Sequence, residues 1–214
     1  MIAIVDYGVG NLRSVQKGLE RVGATAVVTS DRTTLAAARG LILPGVGAFG
    51  DAMSNLRKRR LIEPVLQHAT RGKPLLGICL GMQLLFESSE EMGQHTGLGL
   101  LPGRVVRFPE GDLRVPHIGW NALQKPEGTL AWEDGTLLAH IEDGSYAYFV
   151  HSYYALPDEP ADILATTEYG LAFASVVGRG LLHGAQFHPE KSQEVGLQLL
   201  ANFARIVDPS GGRS

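Results

Sequence analysis

The chain has 214 residues, enough for one domain with a large core, and its formal charge of −3 argues against the basic profile of a nucleic-acid binder. With 44% hydrophobic and 19% charged residues it has the composition of a soluble globular protein, and no apolar run approaches the ~20 residues needed to span a bilayer. The single cysteine excludes an intramolecular disulfide and any multi-cysteine metal centre, and fits a reducing compartment. The opening Met1-Ile-Ala-Ile-Val-Asp6 has neither a basic n-region nor an apolar leader, so a cytoplasmic protein is expected.

Ile2 to Val5 is a short β-rich run, followed by a loop through Asn11. Leu12, Val15, Leu19 and Val22 recur at helical spacing, and Gly23 stops the helix. Thr25 to Thr29 reads as a second strand, Asp31 as an N-cap and Thr33 to Arg39 as a short helix. Leu41 to Leu43 is a third strand, closed by Pro44-Gly45-Val46-Gly47. A helical stretch from about Asp51 to Arg71, broken near Pro64, leads to a fourth strand ending at Ile78 and a helix after it. Strand alternating with helix in this way signals βαβ units and a parallel sheet.

From Arg104 onward the runs become short and β-branched or aromatic: Val105 to Phe108, Tyr146 to Val150, Ile163 to Thr167, Leu171 to Val177 and Leu181 to Gln186. Antiparallel strands added to the parallel core are expected there. Ser192 to Val207 carries Val195, Leu199, Leu200, Phe203 and Val207 on one face, which predicts a helix packed on the sheet. With no repeat and no linker, residues 1–207 read as one domain and residues 208–214 as a disordered tail.

Chemistry concentrates where the fourth strand meets its helix. Gly77-Ile-Cys79-Leu-Gly81 has the form of a nucleophile elbow with cysteine in place of serine. The glycines permit close approach and strained dihedrals, and the following helix N-terminus would favour a thiolate. The alternative is a structural core cysteine. Gly45-Val-Gly47-Ala-Phe-Gly50 matches a dinucleotide fingerprint, but it follows the third strand, Pro44 interrupts the turn, and no acidic residue closes a second strand ~20 positions on. Gly8-Val-Gly10-Asn-Leu-Arg13 lacks the third glycine, so no cofactor is expected. Pro44–Gly47 instead reads as a backbone segment offering N–H groups at the same end of the sheet as Cys79, as an oxyanion requires.

A catalytic cysteine needs a base, and the base an orienting acceptor. Among seven histidines, His188 lies at a strand's C-terminal end, where open α/β sheets place their sites. Pro189 biases it to extended backbone, in which His188 and Glu190 face the same way. The three would form a Cys–His–Glu triad. Cys79, His188 and His183 are too few for zinc, so no metal is expected. His68, His95 and His140 read as surface residues with no assigned role.

Gly77-Ile-Cys79-Leu-Gly81-Met-Gln83 together with His188-Pro-Glu190 resembles the triad of class I glutamine amidotransferases. Asp6-Tyr-Gly-Val-Gly-Asn-Leu12, Leu43-Pro-Gly-Val-Gly-Ala-Phe49, and Pro116-His-Ile-Gly-Trp-Asn121 with His151-Ser-Tyr153 narrow the resemblance to the glutaminase subunits of imidazole glycerol phosphate synthase. It runs from Ile2 to about Phe203, with no departure at a motif position.

That resemblance implies a flavodoxin-like α/β fold: an open, mainly parallel sheet with helices on both faces. It also implies that Cys79, held to His188 and Glu190, forms a γ-glutamyl thioester from L-glutamine and releases ammonia. Backbone N–H groups of Leu80 and of Val46 and Gly47 would serve the oxyanion, and Gln83, Ser152, Tyr153 and Glu91 would bind substrate. Ammonia would pass to a separate (β/α)8-barrel synthase subunit in a heterodimer, with Asn11, Trp120 and Lys191 at the docking surface. A barrel of ~250 residues would not fit in this chain. The glutaminase would be nearly silent until the synthase binds its nucleotide. Alternatives are the glutaminase subunit of pyridoxal phosphate or anthranilate synthesis, an idle binding module, and a cysteine hydrolase of peptides or esters.

Overall fold

The computed structural model describes residues 1–109, 111, 113–130 and 132–209. Its first half alternates β1 (Ile2–Val5), α1 (Leu12–Arg21), β2 (Ala26–Thr29), α2 (Arg32–Ala37), β3 (Gly40–Gly45), α3 (Phe49–Lys58), α4 (Ile62–Thr70), β4 (Leu75–Cys79) and α5 (Leu80–Gln83). The second half runs β5 (Phe86–Ser89), β6 (His95–Thr96), β7 (Leu101–Arg107), β8 (His117–Ala122), β9 (Tyr146–His151), β10 (Tyr153–Pro157), β11 (Ile163–Glu168), β12 (Ala172–Arg179), β13 (Leu182–Ala185) and α6 (Gln193–Val207). Short 3-10 turns cover Pro160–Asp162 and Pro189–Lys191.

A seven-stranded sheet in the order β11-β12-β13-β4-β3-β1-β2 forms the centre. Neighbours from β13 to β2 pair in parallel, and β12 and β11 extend the sheet through antiparallel pairs. Alternation along β1 shows how both faces are covered: Ile2 and Ile4 join α1 and α6 in one core, while Ala3 and Val5 join α2, α3 and α4 in the other. Burial on both faces explains why these strands read as unbroken apolar runs. The expected open α/β sheet with antiparallel additions is present.

Several boundaries differ from expectation. Strand β3 continues through Pro44 and Gly45. Leu41 N–H bonds to Pro74 on the β4 side, so by alternation Pro44 faces β1, whose ladder with β3 has already ended at Ile4 and Ile42. Proline's missing N–H therefore costs nothing there. The long helix breaks at Arg59–Leu61, with Arg60 at φ 57°, and Pro64 sits in the first turn of α4, where N–H groups have no helical acceptor.

After Cys79 the helix lasts a single turn, so a sizeable macrodipole at the thiol is replaced by local N–H groups. The strands from β5 to β10 form two smaller sheets, of four and two strands, that were only partly foreseen. His68 is buried rather than superficial, with Nε2 3.1 Å from the Pro74 carbonyl. Asp208 is held by Arg39 at 2.8 Å, and residues 210–214 of the expected tail lie outside the described residues.

Candidate active site

Cys79 closes β4 with φ 53° and ψ −114°, a strained backbone for a residue with a Cβ. Three glycines hold it there. A Cβ at Gly81 would run into the Leu43 carbonyl, one at Gly77 would lie 2.6 Å from the Gly81 carbonyl oxygen, and one at Gly45 2.8 Å from the Gly81 nitrogen. The Gly-x-Cys-x-Gly pattern is thus a packing requirement between β3, β4 and α5. Tyr7, fully buried, donates its hydroxyl to the Pro44 carbonyl at 2.6 Å beside this junction. Burial, helped by Cys79, pushes the Tyr7 hydroxyl above its ordinary range, so it stays a donor.

His188 lies beyond β13, which pairs with β4 in parallel, so both side chains emerge at one end of the sheet. Its backbone is extended (φ −97°, ψ 100°), and Nδ1 meets Glu190 Oε1 at 2.9 Å. Strand β9 grips the segment: His188 N–H donates to the Tyr148 carbonyl, and Ser192 Oγ donates to the His188 carbonyl while accepting Tyr148 N–H. The His188 and Glu190 side chains are 3% and 1% exposed, so their pair is shielded from solvent. Burial opposes the charged imidazolium, but Cys79 and Glu190 outweigh it and raise the His188 pKa to about 9. Nε2 makes no regular hydrogen bond and is left for the thiol side.

A cavity of about 270 Å³ opens over these groups, lined by Val46, Gly47, Cys79, Leu80, Gln83, Glu91, Ser152, Tyr153 and His188 among others. Every predicted catalytic, oxyanion and substrate residue except Glu190 is on that wall, and Glu190 is bonded to His188 just behind it. Leu80 N–H opens α5, a position without a helical acceptor. Gly47, at φ 91°, and Val46, 42% exposed, form an open segment after β3. Glu91 Oε2 accepts Phe49 N–H at 2.6 Å, which ties it to the first turn of α3.

Another cavity of about 320 Å³, lined by Val22, Ala204 and neighbours, holds no nucleophile and base together. Among the described residues no three His, Cys, Asp or Glu side chains gather to hold a metal.

The predicted docking residues also converge. Trp120, 45% exposed on β8, meets Tyr148 edge-on at 6.0 Å, and Lys191 Nζ sits 5.6 Å from the same ring. Asn11, the N-cap of α1, makes no side-chain cap bond; its amide lies 3.5 Å from Glu190 Oε1 instead. Sequence reasoning missed Gln186, whose Nε2 stands 3.8 Å from Cys79 Sγ, and gave no role to His117 and His151, although both lie in motif stretches. Only their proximity in the fold reveals them.

The family description "Glutamine amidotransferase class-I" matches residues 3–207. The chain is 53% identical over 210 residues to imidazole glycerol phosphate synthase subunit HisH of Moorella thermoacetica, covering 98% of this chain and 97% of the relative. It is 54% identical to the protein of the same name from Synechococcus elongatus, covering 96% and 93%. The crystal structure of a glutamine amidotransferase superposes with a TM-score of 0.74 at 20% identity, covering 97% and 99% of the two chains. PurLQS from Thermotoga maritima gives 0.70 at 18% identity, covering 96% of each. The fold, the elbow cysteine and these matches lead to one conclusion: the chain belongs to the class-I glutamine amidotransferases, in the family of imidazole glycerol phosphate synthase subunit HisH.

Proposed function

We propose that Cys79, His188 and Glu190 are the catalytic triad of a glutaminase that supplies ammonia to imidazole glycerol phosphate synthase in histidine biosynthesis. The observation that carries this is the Cys79 elbow facing a buried His188–Glu190 pair across one amino-acid-sized cavity. The Cys79 proton passes to His188, and the thiolate attacks the side-chain carboxamide carbon of glutamine. The tetrahedral oxyanion is met by Leu80 N–H and by the Val46–Gly47 peptide region. The C–N bond breaks, His188 Nε2 protonates the departing ammonia, and a γ-glutamyl thioester remains on Cys79. Water then attacks the thioester carbon and gives its proton to His188. The thiolate leaves, and glutamate is released.

Both carbonyls on the Ser152–Tyr153 wall are engaged, Ser152 by Phe108 N–H and Tyr153 by His151 and Gln83. Their N–H groups are therefore assigned to the substrate α-carboxylate, and Glu91 to its ammonium. Gln83 places the side chain of glutamine. Residues 1–207 act as one amidotransferase domain in the cytoplasm, where a lone buried thiol is stable.

The partner is a (β/α)8-barrel synthase subunit, docked on Asn11, Trp120 and Lys191. Ile118 and Tyr146, 59% and 60% exposed on the same hairpin face as Trp120, add apolar surface there. Glutamate release, assayed with and without the barrel subunit and its nucleotide, tests this reading. Strong stimulation is expected; equal turnover by the isolated chain, with no response to the synthase, would overturn it.

A further inference from the structure

Two histidines on the paired strands β8 and β9 take no part in the chemistry above, yet one of them, His151, lines the cavity. His117 Nδ1 lies 3.2 Å from His151 Nε2, and His151 Nδ1 lies 2.9 Å from the Tyr153 carbonyl. At the outer end, Asn121 Nδ2 lies 3.3 Å from His117 Nε2. The direction of every bond can be worked out from backbone groups, whose polarity is fixed.

Asn121 Oδ1 accepts Ala122 N–H at 2.8 Å, and Nδ2 donates to the Glu168 carbonyl at 2.9 Å, so its amide cannot be flipped. Nδ2 is then the donor to His117 Nε2, which makes Nδ1 the protonated nitrogen of a neutral His117 ring. His117 Nδ1 donates to His151 Nε2, so His151 also carries its proton on Nδ1. Starting from the other end gives the same answer, because the Tyr153 carbonyl accepts and requires Nδ1–H on His151. A proton added to His151 Nε2 would oppose the His117 Nδ1–H, and one added to His117 Nε2 would oppose the Asn121 Nδ2–H.

Burial favours the neutral forms, lowering the pKa to about 4 for His117 and about 3 for His151. Both ring planes are held: His117 stacks between Phe149 and Tyr169 at 5.1 and 4.0 Å, and His151 packs on Phe173 at 5.1 Å.

The Tyr153 carbonyl accepts a second bond, 2.9 Å from Gln83 Nε2. Gln83 Nε2 also donates to Gln186 Oε1 at 3.0 Å, and this orients Gln186 Nε2 toward Cys79 Sγ. Two donors therefore converge on one carbonyl, so the chain cannot conduct a proton; it can only hold groups in place.

The geometry points to His117 and His151 as positioning residues, a one-way hydrogen-bond chain that locks the Tyr153 carbonyl and with it the Ser152–Tyr153 wall of the glutamine cavity. This rests on the glutaminase reading for its kinetic consequence, but its tautomers do not. Long-range 15N–1H spectra of the full chain should show both rings neutral and protonated on Nδ1. An Nε2–H form at either ring overturns the proposal, whether or not glutamine is the substrate.

The kinetic arm uses the complex with the synthase subunit and compares two variants that both remove the ring. His117→Asn keeps a donor near the Nδ1 position, and His117→Gln does not. His117→Gln should raise KM for glutamine roughly tenfold with kcat changed less than about threefold, and His117→Asn should stay within about threefold of the parent in both. Equal KM in the two variants overturns the proposal. Absence of glutamate release by the unsubstituted complex would remove the glutaminase reading and leave the tautomer result to decide the chain.

Discussion

Strands β3 and β4 lie side by side, paired from Leu41 with Leu75 to Gly45 with Cys79, and they end in opposite ways. At the end of β4, Cys79 is 5% exposed, and the glycines around it are packed against the backbone of β3 and α5. At the end of β3, Val46 is 42% exposed, and a Cβ on Gly47 would meet no atom within 4 Å. Strain at Cys79 is sustained because its surroundings over-determine it. The neighbouring loop is tied at its edges, by Tyr7 to Pro44 and by Glu91 to Phe49. One neighbour is built to stay in place and the other has room to adjust. On the proposed reading, the nucleophile at Cys79 must always be aimed, whereas an oxyanion donor left adjustable gives a partner something to control.

The largest expected effect breaks the rigid side outright. Cys79→Ala should lower glutamine hydrolysis at least about 10⁴-fold with unfolding temperature little changed, read by glutamate release and calorimetry. Glu190→Gln should cost roughly 10³-fold in turnover by disorienting His188. It also has a pH signature. The folded pKa of His188, about 9, lies above its ordinary 6.5, so the stability it contributes is complete below 6.5 and is lost as pH rises toward 9. Without the carboxylate the ring pKa falls, and denaturation curves across that window should flatten; an unchanged slope would contradict the assignment.

The sharpest comparison is one substitution made on both sides. Gly81→Ala drives a methyl into the Leu43 carbonyl and should destabilise by about 3 kcal/mol, whereas Gly47→Ala meets only its positive φ and should cost about 1 kcal/mol. Similar losses in urea titrations would erase the distinction between the strand ends. The smallest effect on stability is expected at Trp120→Ala, within about 0.5 kcal/mol for a half-exposed ring, together with lost stimulation by the synthase.

Much of the frame was legible before any coordinates. Buried parallel strands announce themselves as apolar runs, Asp31 caps α2 by accepting Thr34 N–H at 2.7 Å, and Gly77 and Gly81 mark the elbow. The His188–Glu190 bond followed from the alternation of extended backbone around Pro189. What failed was local in another sense. Pro64 looked like a helix breaker but sits where a first turn tolerates it, and the helix after Cys79 stops after one turn, with β5 beginning at Phe86.

The chain's own order of residues determined the α/β alternation, the elbow and the pairing of His188 with Glu190, since each depends on neighbours a few positions apart. Only the tertiary structure decided which distant groups share the cavity. Gln186 reaches Cys79 across 107 residues, and His117 finds His151 across 34. The polarity of those contacts is set by backbone groups on other strands, such as the Tyr153 and Glu168 carbonyls. No pattern along the chain encodes the direction of such a bond, because it exists only once the strands are paired.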